Sequence, residues 1–327
     1  MNKVPDIYFL PEWGKLFQEH DKGKIDIFDY KCSLGNVYYQ FIKRKIPFKL
    51  KGVQYWDTVT TYGFNGPVIL EYKKDKKESL VLKFNEAFQQ YCMDNQLVSE
   101  YIRFNPWLKN HLDFAQIYET KYNNYTLFTD LTKDDYFMEE FSSKIRNLIR
   151  KAIKQGVVLE YDFTGSTLKE FYRLYQFMVK KNRVDAYYRF NFDFLMKSFE
   201  VLKEKQFIIN AKLGAKYISS AIFLHYEDFL HYHFSANDPY YYSLNANSLI
   251  LNEACKWGKT KGIKQLHLGG AFTDELFAFK KQFTRNGICD YYIGKKIRNK
   301  KIYDKLVDIK MKKDIIKNKE YFPFYRG

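Results

Sequence analysis

At 327 residues the chain exceeds the usual size of one hydrophobic core, so two domains are expected. A hydrophobic fraction of 46% and an aromatic fraction of 19% exclude a disordered protein, and a formal net charge of +16 points to polyanionic or phosphate-bearing partners, or to a plainly Lys-rich surface. Cys32, Cys92, Cys255 and Cys289 form no CxxC pair, which argues against a disulfide frame or a cysteine zinc site. The first residues carry no signal-like apolar region, and no run of about 18 apolar residues occurs. A cytoplasmic protein is expected, with peripheral contact to the inner face of the membrane open to it.

In chain order, a helix is expected over 10–20, strands over 25–30 and 37–43, and a turn-rich loop through Gly63 and Gly66 before a short strand at 68–71. A helix over 78–93 precedes strands at 99–104, 115–120 and 125–130. Acidic Asp134 and Asp135 open a helical stretch to 155. A second cycle then begins: strand 157–163, helices 168–181 and 192–203, and a meander over 206–213, 217–226 and 229–235. A helix over 245–261 ends at Gly262, where a left-handed cap costs little, and a strand over 263–268 follows. The two halves share one order of elements, so a duplicated α/β unit is expected, with domains at 1–132 and 133–294. The tail at 295–327 is basic, and Ile302, Leu306, Ile309 and Lys313 space a helix over 295–319. It offers a solvated face or an electrostatic contact with tRNA or lipid headgroups.

Three clusters bear chemistry. In the segment after Gly269 and Gly270, helical spacing puts Leu276, Phe279 and Phe283 on one face with Lys280 in its middle, while Lys281 points away. A lysine among core aromatics either snorkels to water or has a buried role. On the helix of 143–155, Arg146, Arg150 and Lys154 climb one side at four-residue steps, a pattern that suits phosphate oxygens as well as solvent. His231 and His233 alternate along a strand with Tyr232 and Phe234 on its other face; His225 is the nearest third ligand, so a metal is not expected. No GxSxG, GxxxxGK[ST] or GxGxxG motif occurs, nor the [QR]xxGx[GA] loop that holds a pyrophosphate in ordinary acetyl-CoA-dependent acetyltransferases.

These features resemble a family. Leu266-His267-Leu268-Gly269-Gly270, followed by Leu276-Phe277-Ala278-Phe279-Lys280-Lys281-Gln282-Phe283, is similar to the Fem ligases, non-ribosomal peptidyltransferases that add amino acids from aminoacyl-tRNA to peptidoglycan precursors. Lys144 to Ala152, Phe234-Ser235-Ala236-Asn237-Asp238 and Arg103-Phe104-Asn105-Pro106 support it. The resemblance implies an α/β (α+β) fold of two tandem GNAT-like acyltransferase domains, each a mixed, mostly antiparallel sheet flanked by helices, without the coiled-coil arm of some members. It implies that Phe279 and Lys280 lie at the transfer centre, where an ammonium stabilises the tetrahedral oxyanion. It further implies that Arg189 and Lys15 grip acceptor phosphates, an offset of two carrying the latter role to Phe17. Asn105 stands where some members have an aspartate. His233 stands where some have an acceptor-lining tyrosine, and is the candidate base, with Tyr232 beside it as a substrate-binding residue.

The expected function is therefore aminoacyl transfer from aminoacyl-tRNA to the amine of a UDP- or lipid-linked cell-envelope precursor, without metal or cofactor. Arg146, Arg150 and Lys154 are the candidate nucleic-acid contacts. An acyl-CoA- or acyl-carrier-dependent N-acyltransferase acting on an amino sugar is the alternative, and a non-catalytic RNA- or membrane-binding module is the third reading.

Overall fold

The computed structural model describes residues 3–182, 186–271, 273–313 and 321–327. Residues 314–319 of the expected tail helix lie outside them. The elements run α1 (Pro11–Phe17), β1 (Lys24–Cys32), β2 (Gly35–Lys45), β3 (Trp56–Val59), β4 (Val68–Tyr72), α2 (Lys77–Asp94), β5 (Leu97–Arg103), α3 (Asn110–Phe114) and β6 (Glu119–Asp130). They continue with α4 (Tyr136–Glu139), α5 (Ser143–Lys154), β7 (Val157–Asp162), α6 (Leu168–Asn182), α7 (Phe192–Leu202), β8 (Gln206–Leu213), β9 (Lys216–Tyr226) and β10 (Phe229–Asn237). The last are α8 (Ala246–Thr260), β11 (Gln265–Gly270), α9 (Asp274–Lys281), β12 (Ile288–Ile297) and α10 (Lys300–Lys313).

Contacts divide the chain into two compact units, Met1–Asn124 with Asp290–Gly327, and Tyr125–Cys289. The expected divisions stood at 132/133 and 294/295. In the first unit the strand order is β1-β2-β3-β5-β12, with β4 on β2 and only β3 and β5 parallel. In the second it is β7-β8-β9-β10-β11-β6, with only β10 and β11 parallel. Each unit is thus a meander, one parallel crossover and a closing antiparallel strand. These are the mixed, mostly antiparallel sheets of a tandem GNAT-like α/β fold.

Each sheet is held by amphipathic helices. In the first unit Leu80, Phe84 and Phe88 of α2 pack on Tyr39 and Phe41. Elsewhere in that unit Tyr303 and Leu306 of α10 join Ile46, Val98 and Tyr325 in a separate cluster. In the second unit Ile145, Ile149 and Ala152 of α5 and the apolar stripe of α8 cover one face of the sheet. Phe171 and Tyr175 of α6 and Leu195 of α7 cover Ile208, Ile222 and Ala236 on the other. Ser142 caps α5 by accepting from the Ile145 amide, and Gly262, at φ +72, ends α8 as its sequence position suggests.

Three local expectations change. Most of the strand expected at 115–120 is absent. α3 ends at Phe114 and residues 115–118 form a turn; α3 is fixed because the Asn110 side chain donates to the carbonyls of Asn65 and Pro67 while accepting from the Asn105 amide, and β6 starts only at Glu119. β3 was not anticipated, because its buried Asp57 finds its partners, Arg44 and Arg326, far away in sequence. β12 was not anticipated either, although Cys289, Tyr291 and Ile293 are buried at alternate positions. It also takes the first residues of the expected tail helix, which starts at Lys300.

Candidate functional site

β10 and β11 pair over three rungs only, Phe229 with Gln265, Leu230 with Leu266 and His231 with His267. β10 then continues to Asn237 beside β9, and β11 to Gly270 beside β6, so the two strands part beyond the histidine rung. Both carry a register shift at the parting, at Tyr232/Phe234 and at His267/Gly269. A bulge re-aims the side chains that follow it, and this one corrects the expected alternation. Leu230 and Tyr232 face the α5/α8 core, whereas Phe234 and Ala236 face the α6/α7 core, so Tyr232 and Phe234 lie on opposite faces.

The first unit's parallel pair does not open in this way. Beyond β3 the Thr60 amide donates to the Tyr101 carbonyl at 3.2 Å, and the Asn65 amide to that of Arg103 at 3.0 Å. The Arg103 guanidinium laces the same edge, donating to the carbonyls of Thr60 at 2.7 Å and Thr61 at 3.2 Å. Asn105 serves a turn here: its side chain accepts from the Leu108 amide and donates to the Phe64 carbonyl.

Lys280 lies at the second unit's parting. Thr273 caps α9 by accepting from the Leu276 amide, and Lys280 is the helix's one buried residue, 7% exposed. Its ammonium donates to the Gly270 carbonyl at 2.6 Å. Gly269 sits at φ +78, a conformation that favours glycine, and a Cβ there would touch Lys280 Nζ at 3.4 Å. Burial pushes Lys280 down to about 8, which leaves it mostly charged near neutrality. Phe283 is fully buried, with Phe279 edge-on to it at 5.2 Å, while Leu276 is 36% exposed. Lys281 points elsewhere and donates to the Arg285 carbonyl.

Three histidines line the parting. The rings of His231 and His267 lie 5.5 Å apart, and both residues are buried. His233 occupies the bulge of β10 and is half-buried; the packing around its ring, followed by the nearby His231, pushes it down to about 3. His267 is held well below the ordinary range by burial, then by His231 and Lys280. Sequence reasoning quoted His267 without giving it a role, although its place between core-facing Leu266 and Leu268 already set it on the other face of β11. His225 is bonded to the Glu204 carbonyl at 2.6 Å, and among the described residues no group of three or more His, Cys, Asp or Glu is arranged to hold a metal.

The remaining candidates lie on other elements. The Tyr232 hydroxyl donates to Asn247 at 2.9 Å on the α8 side. Arg189 is exposed on the loop before α7; Tyr188 and Phe190 on either side of it bond to the Tyr175 hydroxyl, and Phe190 packs on Phe234 at 5.0 Å. Lys15 is exposed on α1 of the first unit, and Phe17, its offset alternative, is fully buried against Tyr62. On α5, Arg146 donates to the carbonyls of Met138 and Phe141, Arg150 donates to Asn147 and lies over the Phe137 ring, and Lys154 is exposed.

This geometry coincides with a known domain. Residues 139–281 match the acetyltransferase (GNAT) domain, and the enzyme class is acyltransferase. The solved structure of FemX superposes with a TM-score of 0.72 at 13% identity, covering 93% of this chain and 95% of that one. The fold is that of FemX. The C-terminal domain of an Agrobacterium fabrum protein assigned as a lysylphosphatidylglycerol synthetase follows with a TM-score of 0.54 at 12% identity, covering 91% and 89%. A tandem GNAT protein from the clavulanic acid biosynthesis pathway reaches 0.50 at 6% identity, covering 84% and 83%. No curated protein matches the chain in sequence. Among the described residues no helix is long and apolar enough to cross a membrane.

Proposed function

We propose that this chain transfers an aminoacyl group from aminoacyl-tRNA to an amine on a nucleotide- or lipid-linked precursor of the cell envelope, working at the inner face of the membrane. The observation that carries this reading is the buried ammonium of Lys280, held on the Gly270 carbonyl where β10 and β11 part, in a chain with the FemX fold. Attack of the amine on the ester carbonyl forms the C–N bond and moves an electron pair onto oxygen. Lys280 stabilises that oxyanion in a site shielded from water. His233 is neutral and accepts the proton that the attacking nitrogen sheds. Arg189 holds an acceptor phosphate, Lys15 on the first unit is a further candidate for phosphate, and Lys154 with the neighbouring α5 cations attracts the tRNA. The chemistry calls on no metal or cofactor.

The match of residues 139–281 to an acetyltransferase domain favours a second reading, in which an acyl thioester is the donor and an amino sugar the acceptor. The donor separates the two. Incubation with radiolabelled aminoacyl-tRNA and with labelled acyl-CoA, each with and without ribonuclease, should give label transfer only from the charged tRNA and only before ribonuclease treatment. Transfer from acyl-CoA that ignores ribonuclease overturns the first reading in favour of the second.

A further inference from the structure

The mechanism above leaves two buried histidines without work. His231 and His267 are direct register partners on the last rung before β10 and β11 part, with rings 5.5 Å apart at an interplanar angle of 75°. They are 1% and 4% exposed, and both lie on the face of the sheet opposite core-facing Leu230, Leu266 and Leu268. One end of the pair leads to His233, two residues along β10 in the bulge. The other leads to Gly270, three residues along β11, whose carbonyl holds the Lys280 ammonium. The register thus sets the pair between His233 on β10 and the anchor of the Lys280 ammonium on β11, in order along the two parting strands. At this ring separation, nitrogens of the paired imidazoles can be joined directly or through one water. A packed core alone gives no reason to set two imidazoles on one rung, since burying polar rings has a cost that apolar residues avoid.

We propose that His231 and His267 form a proton relay between His233 and Lys280. The inference rests on the transfer reaction given above. When the acceptor amine attacks, the new C–N bond forms and the nitrogen releases a proton to His233. When the tetrahedral intermediate collapses, the C=O bond re-forms, the ester C–O bond breaks and the leaving ribose oxygen takes a proton from Lys280. Passage of one proton from His233 through His231 and His267 restores Lys280, so the amine proton ends on the leaving hydroxyl and no other reactant is needed. His231 and His267 act through their neighbours and are positioning and relay residues, not groups that touch the substrate.

The test uses the full chain, bulk tRNA charged with radiolabelled amino acids, and nucleotide- and lipid-linked muropeptides as acceptors. His267→Asn and His231→Asn should each lower kcat by about tenfold or more with KM unchanged. His267→Gly, checked for folding by its thermal melt, should regain turnover when free imidazole is added, which loss of a packing role would not allow. Near-normal kcat in His267→Asn, or a folded His267→Gly variant that imidazole does not restore, overturns the relay while leaving the Lys280 reaction standing. Absence of transfer by the unaltered chain overturns both together.

Discussion

The Lys280 ammonium donates to the Gly270 carbonyl at 2.6 Å, tying the one buried side chain of α9 to the last residue of β11. Among the described residues the bond gives the ammonium one fixed partner, and on the proposed mechanism its other two protons serve the developing oxyanion. Burial of the charge is a cost to folding.

That cost predicts a trade-off. The folded value of Lys280, about 8, lies below the 10.5 of a free lysine, so the penalty is full below pH 8, shrinks between the two values and vanishes above them. At neutral pH it amounts to about 3 kcal/mol. Lys280→Met should therefore lose turnover yet melt several degrees higher than the unaltered chain at pH 7. Thermal melts at pH 7 and pH 10 check this, with the advantage smaller at the higher pH.

The same shift sets the pH dependence of the reaction. On the proposed mechanism the charged form stabilises the oxyanion, so kcat should fall as pH rises through about 8. His233, pushed down to about 3, stays neutral over the working range and should contribute no ascending limb between pH 5 and 7. A profile of kcat from pH 5 to 10 reads both features.

Gly269→Ala should damage the site without unfolding the protein. A Cβ at φ +78 is strained, and it would sit 3.4 Å from Lys280 Nζ. About 1 kcal/mol of lost stability is expected, with a fall in kcat of tenfold or more on the usual scale for a displaced catalytic group. Denaturant melts and steady-state kinetics on the same preparation separate the two effects.

The basic helix should divide by residue. Arg146 is tied to the carbonyls of Met138 and Phe141, so Arg146→Ala should lower stability by about 1–2 kcal/mol. Exposed Lys154 should act on tRNA alone: Lys154→Glu should leave the melt unchanged, weaken binding and reduce the slope of log affinity against log salt by about one. Filter binding at several salt concentrations measures it.

Sequence periodicity reached the order of most helices and strands because their apolar faces repeat at 3.6 or 2 residues, as α5 and β8 do. It also put Lys280 on an apolar face. It did not reach what depends on distant partners. Asp57 is fully buried in β3 only because Arg44 and Arg326 meet it, and Arg298 is buried only because Glu100, Asn85 and Tyr118 surround it. Nor did it reach the bulge at His233, which has no signature in residue type and yet moves Phe234 to the other face. His231 and His267 were both legible as residues, but their pairing on one rung became visible only through the register.

The most direct measurement is single-turnover transfer from radiolabelled aminoacyl-tRNA by the unaltered chain and by Lys280→Ala at saturating donor and acceptor. The account predicts a rate constant about 10²–10³-fold lower in the variant, the scale of losing one oxyanion donor, with donor binding little changed. A rate constant within a few-fold of the unaltered chain would contradict it.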